Sequence, residues 1–137
     1  MFDPEEWLMV AEICYSNIPT VSRQALLRSA LNRAYYAALL SLKFRIDAAQ
    51  GSGTVPDWQT HAAIKQTIRT GGKAFEDISD SLAQIRVLRE QADYVLDAPD
   101  FTWKNVHELV NQARWVIRNR IKALPEAEFR RLRVPRG

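Results

Sequence analysis

The sequence is poor in the residues that most directly announce a chemistry. Its one cysteine, Cys14, cannot close a disulfide within the chain, and its two histidines, His61 and His107, do not join it in any of the short ligand spacings of a zinc site. A reducing, cytoplasmic protein with no metal and no cofactor is expected. Long apolar runs are also missing. The longest uncharged one, AYYAALLSL, is far too short to span a bilayer, and the opening MFDPEEWLMV is acidic where a signal peptide would be basic, so no membrane association is expected. Period-two alternation of apolar and polar residues is found nowhere, which excludes a sheet as the organising element.

What remains is a chain of 137 residues, 47% hydrophobic, the size and apolar content of one domain around a single core. Its charge is unevenly divided. Residues 1–100 carry 10 Lys and Arg against 13 Asp and Glu, a balance of −3, whereas residues 101–137 carry 9 against 3, a balance of +6. The segment RNRIKALPEAEFRRLRVPRG therefore fits a footprint for RNA or DNA phosphates, and equally a solubilising end. Residues 1–124 are read as a helical domain and 125–137 as a basic C-terminal tail.

Breakers divide the chain simply: Pro19 and Thr20, then GSGTVP, then Gly71 and Gly72, then DAPDFT. Five helices are predicted between them, at about 4–16, 21–49, 57–70, 74–96 and 103–124, with Asp57 and Thr102 as N-caps. Long helices joined by short loops favour antiparallel neighbours, so the expected fold is all-α, an up-and-down bundle of about five helices.

The last helix is a plain core helix, with Val106, Leu109, Val110, Ala113, Val116, Ile117, Ile121 and Leu124 on one face. The fourth follows the same rule through Phe75, Ile78, Leu82, Ile85, Ala92 and Leu96, but Arg89 occupies the position that would complete the series. The second repeats the anomaly, with Arg33 in the stripe of Leu26, Ala30, Ala37, Leu40 and Phe44. An arginine on an apolar face must be paired, reach water along its stem, or face a cleft, because breaking a buried ion pair costs roughly 3–5 kcal/mol. Asp93, one turn after Arg89, is the nearest partner in sequence, and Asp47, Glu90 and Asp97 are others.

The segments LLRSALNRAYYAALLSLKFRI, LREQADY and FTWKNVHELVNQARWVIRNRI, taken in that order, resemble the small HEPN-domain proteins, the higher eukaryotes and prokaryotes nucleotide-binding superfamily. The resemblance runs from about Gln24 to Leu124, and the string Asn-Arg-x-Tyr-Tyr-Ala carries most of it. It implies a HEPN-like bundle that forms a homodimer. It also implies a place in a toxin–antitoxin or phage-defence module, as a protein associated with RNA through a polar cleft shared by two copies. Nuclease members of the family are metal-independent endoribonucleases using an arginine and a following histidine; others partner a minimal nucleotidyltransferase or serve as helical scaffolds.

On this resemblance Arg89 stands for the family arginine, and Tyr94 occupies the place of the catalytic histidine. Tyrosine titrates near pH 10 when unperturbed, so it binds or orients a phosphate more readily than it removes a proton, and weak or absent turnover is expected. Asp93, Arg33, Asn32 and Tyr36 are the expected ligand-binding companions. His61 shares a face with Trp58, Ile64 and Ile68, the setting of a packed histidine; if it reached Arg89 it would supply the missing base. His107 lies next to the core face of the last helix. Tyr35 and Tyr36 point about 100° apart on a helix, so one is expected to pack and the other to present its hydroxyl near Arg33 or Asn32. Trp7, Trp58, Trp103 and Trp115 are read as core or dimer contacts, Trp115 lying slightly off the main stripe.

Overall fold

The chain begins its first helix with a cap that the sequence makes possible. Asp3 accepts the Glu5 amide through Oδ1 at 3.0 Å, Pro4 follows where its missing N–H is no loss, and Glu5 and Glu6 face the positive end of the helix dipole. In the computed structural model, which describes residues 3–16, 23–55, 60–94 and 103–135, this helix is α1, Glu5–Ser16. It is followed by α2 (Arg23–Gln50), α3 (Thr60–Arg69), α4 (Glu76–Tyr94), α5 (Trp103–Val116) and the short α6 (Glu126–Arg130). No strand is found among the described residues, and the all-α bundle is as expected. The expected caps Asp57 and Thr102 fall outside the described residues.

Two element boundaries differ from expectation. A 3₁₀ turn at Gly72–Phe75 introduces α4, because Gly72 takes a left-handed φ of 66° that no continuous helix permits. The last long helix does not remain α-helical to residue 124. After Val116 it widens into a π-helical turn, Ile117–Ile121, in which the Lys122 amide bonds back to the Ile117 carbonyl at 2.8 Å.

The stripe expected on α2 is only part of its buried surface. Leu27, Leu31, Ala34, Tyr35, Ala38, Leu39, Leu42 and Ile46 are buried along with Ala30 and Ala37, whereas Leu26, Leu40 and Phe44 are half-buried. A helix apolar on most sides is a central helix, and α2 packs against α1, α3, α4, α5 and α6. The long helices around it alternate in direction. Glu5 meets Arg118 and Lys122 while Glu12 meets Arg114, so α1 and α5 run antiparallel; Asp77 meets Arg120 while Gln84 meets Gln112, so α4 and α5 do too.

The segment after residue 124 is where the expectation of a solvated tail meets a different finding. Phe129 and Leu132 are buried in the core, and the Phe129 ring packs edge-on against Phe75 with centroids 5.3 Å apart. Polar groups on α2 fix this segment from within. Gln50 Nε2 donates to the Phe129 and Leu132 carbonyls, each at 2.8 Å. Arg45 lies over the Phe129 ring and donates to the carbonyls of Ile121, Lys122 and Leu124, the acceptors left over where the π-turn ends. Close packing extends to Gly71, where an added Cβ would lie 2.2 Å from Phe75 and 2.8 Å from Leu132.

These contacts predict that residues 125–135 contribute to stability. Phe129→Ala should cost about 3–5 kcal/mol in urea unfolding. Gly71→Ala should cost about 1–3 kcal/mol through overpacking. A segment that only solvated the chain would leave the Phe129→Ala midpoint where it was.

Candidate functional site

Histidine 61 is the residue around which the polar interior is organised. Ala63, Ile64, Thr67 and Ile68 bury one face of α3 and bring His61 against the middle of α2. There both ring nitrogens find a tyrosine: Nδ1 lies 2.9 Å from the Tyr35 hydroxyl, and Nε2 lies 3.0 Å from the Tyr36 hydroxyl. The imidazole stacks on Tyr35, with planes 12° apart, and meets Tyr36 edge-on at 80°.

The expectation that only one tyrosine would pack, leaving the other near Arg33 or Asn32, is corrected by this arrangement. The two rings do leave the helix in different directions, but each phenol is long enough to reach one edge of the same imidazole. Tyr35 is 3% exposed and Tyr36 is half-buried.

Arg89 joins the cluster from α4. Its Nη2 donates to the Tyr36 hydroxyl at 3.3 Å, and its guanidinium carbon lies 5.4 and 5.3 Å from the Tyr35 and Tyr36 ring centroids, within cation–π range. A guanidinium can only donate, so the Tyr36 oxygen accepts from Arg89. The tautomer of His61 sets the direction of its bonds to the two tyrosines. Arg89, Tyr36, His61 and Tyr35 thus form a continuous series of hydrogen bonds.

The electrostatics keep this chain neutral beyond the arginine. His61 titrates below its ordinary value, chiefly because it is partly buried and further because Arg89 and Arg86 are near, with Glu90 opposing them. Burial raises the Tyr35 hydroxyl, against the pull of Arg86 and Arg89. A neutral imidazole beside a fixed cation is the pairing that proton transfer near a phosphate requires.

Tyr35 and His61 also form part of the wall of a cleft of about 510 Å³ between α3 and α4. Leu39, Ile64, Ile68 and Leu82 give it an apolar side, and Lys65, Arg69 and Arg86 bring cations to it, with Asp80 and Glu90 as counter-charges. Arg89 does not line this cleft; it stands behind it and touches it through Tyr36 and His61. The arginine that α4 brings to the cleft is Arg86, one turn earlier, which pairs with Glu90 at 2.9 Å. Neither Arg86 nor the pair Lys65 and Arg69 was singled out from the sequence. Their spacing of four on α3 opposite the arginines of α4 was the available signal, but it resembles any solvated face until the two helices are placed side by side.

The remaining candidates separate from the cluster. Arg33 lies over the Trp7 ring at 4.5 Å, and Trp7 in turn lies 6.1 Å from the Tyr36 ring. Asn32 is half-buried, its Oδ1 without a hydrogen-bond partner among the described residues. Two proposed partners of Arg89 are engaged elsewhere: Asp47 accepts from Lys43 at 2.8 Å and from the Val55 amide at 3.1 Å, and Glu90 is held by Arg86. The side chains of Asp93 and Tyr94, the expected companions of Arg89, lie outside the described residues, as do Asp97, Trp58 and the side chain of Trp103. His107 meets Asn111, one turn on along α5, at 3.1 Å. Among the described residues no group of acidic, histidine and cysteine side chains could hold a metal ion, and no helix is long and apolar enough to cross a membrane.

Family models, curated proteins and solved structures give no match to this chain.

The lowered titration of His61 has a definite sign in stability. The folded state disfavours the protonated ring, so the stability tied to neutral His61 is present above its unfolded value near 6.5 and is lost as pH falls through the folded value. Urea midpoints should therefore drop from pH 7.5 to pH 5, and His61→Gln should flatten that part of the decline. By NMR, His61 should titrate below 6.5. Arg89→Met should move the midpoint upward, and an unmoved midpoint would contradict the coupling.

Proposed function

We propose that the protein is a HEPN-like, dimeric, RNA-associated member of a toxin–antitoxin or phage-defence module, binding phosphodiester in the polar cleft with little or no turnover. The observation that carries this reading is the hydrogen-bonded path from Arg89 through Tyr36 to His61, which ends at the wall of a cleft bearing Lys65, Arg69 and Arg86. Through the Tyr36 hydroxyl the cation is joined to a hydrogen-bonding imidazole on the cleft wall.

A second copy is supported by apolar side chains left outside the core. Met9 and Ile13, one turn apart on α1, are 62% and 60% exposed, and Trp115 on α5 is 47% exposed. Burying such a cluster between two protomers removes it from water and is a favourable use of large side chains at an interface.

The same path favours a second reading, a metal-independent endoribonuclease in which His61 supplies the base that Tyr94 cannot. In this reading Arg86 balances charge on the phosphate with Arg89 behind it, His61 carries its proton on Nε2, and Tyr35 gives its hydroxyl proton to Nδ1 as it takes the proton of the ribose 2′-hydroxyl. Its chemistry needs the imidazole neutral at the outset, and the direction of its titration meets that need.

Purified protein should bind single-stranded RNA and sediment as a dimer. Arg89→Lys should weaken binding several-fold while leaving the melting temperature nearly unchanged, because a point charge cannot replace the planar fork. Tyr36→Phe should weaken it similarly by cutting the path to His61. Wild-type binding by a well-folded Arg89→Lys protein would rule out the path from Arg89 as a determinant of binding. Robust cleavage in the presence of a chelator, lost in His61→Gln, would establish the second reading over the first.

A further inference from the structure

Folding redistributes the charge imbalance of the sequence. Along α5 and its π-turn the cations are largely neutralised within the chain: Arg114 by Glu12, Arg118 and Lys122 by Glu5, and Arg120 by Asp77. Lys104, at the start of α5, has no ion pair among the described residues, and outside α5 the same holds for four exposed cations, Lys65, Arg69, Lys73 and Arg133.

These four gather at one corner of the bundle. Lys65 and Arg69 are one turn apart on α3, about 6 Å along its axis, and both line the mouth of the cleft. The next residue, Thr70, accepts the Arg133 amide through Oγ1 at 2.9 Å, and the Gly71 carbonyl accepts from the Arg131 guanidinium at 2.6 Å. Lys73 follows in the 3₁₀ turn. The docked C-terminal segment therefore continues the basic rim of the cleft without a break. The carboxylates of that segment, Glu126 and Glu128, are occupied by Arg130 and Arg131.

We propose that this corner is a phosphate track, over which a single strand of RNA seated in the cleft continues across Arg69, Lys73 and Arg133. The track rests on the reading of the cleft as a phosphodiester site. Exposed cations carried on separate segments, α3, the 3₁₀ turn and the C-terminal segment, suit a ligand of repeated charge better than one small anion, which would need donors converging on a point. An acidic polypeptide has repeated charge as well. It has no use, however, for the neighbouring cleft, where an aromatic and apolar wall of Tyr35, Leu39, Ile64 and Leu82 accompanies the cations. Flat bases beside phosphates need both kinds of surface.

The test compares two lengths of single-stranded RNA by fluorescence anisotropy, a trinucleotide that fits the cleft and a strand of about twelve nucleotides, within the range such grooves cover. The variant is Lys73→Gln combined with Arg133→Gln, since neither side chain lines the cleft. It should melt as the wild type does and bind the trinucleotide equally well. For the longer strand its affinity should fall on the order of tenfold at low salt, and the slope of log K against log salt should shrink by about 1.4, the expectation for two lost phosphate contacts on a single strand. A longer strand indifferent to the double substitution, or an equal loss at both lengths, overturns the track. Competition by polyglutamate as effective as RNA of equal charge also overturns it. Failure of the cleft reading would look different: the wild type would not bind the trinucleotide at all.

Discussion

Burial of α2 on most of its circumference is the constraint from which the other features follow. A helix of 28 residues at the centre of a bundle leaves few of its polar side chains to water, so most are satisfied within the helix or by the element packed over it. Ser41 solves this locally by donating to the Ala37 carbonyl at 2.8 Å. The longer side chains reach outward, and in doing so each fixes a neighbour. Tyr35 and Tyr36 hold His61 of α3, Asp47 holds the turn at Val55, Arg45 gathers the carbonyls that end the π-turn, and Gln50 secures the C-terminal segment. The polar residues of the core helix act as the register marks of the bundle.

The candidate site is one of these solutions with something added. Two tyrosines and a histidine would satisfy one another without an arginine. Arg89 adds a cation that donates to Tyr36 and helps keep His61 neutral. The group meeting the cleft is therefore not the arginine but the polar series it joins. Cleft-facing charge comes from Arg86 and from α3. The division of labour lets an arginine on the apolar stripe act on polar groups at the cleft wall.

The role of the C-terminal segment changes in the same way. Its arginines suggest a solvated tail, but the apolar Phe129 and Leu132 between them anchor it, and the closeness of Gly71 to Phe75 and Leu132 leaves no room for slack. Docking turns a run of charge into a surface of defined position next to the cleft.

The sequence by itself determined the helical class, because apolar residues recur at three and four and never at two, and that periodicity is local. It also marked Arg89 as out of place on its stripe and His61, Tyr35 and Tyr36 as polar groups to be accommodated, since residue type and helical face are readable one helix at a time. Only the tertiary structure decided which of these groups meet. Tyr36, His61 and Arg89 lie 25 and more residues apart, on three helices whose relative rotation no single periodicity specifies. The all-round burial of α2 was hidden because its alanines and leucines spread over every face and give no contrast. The fate of residues 125–135 was hidden because two anchoring side chains weigh little in a composition dominated by arginine, yet each fills a place in the core that only the assembled helices create.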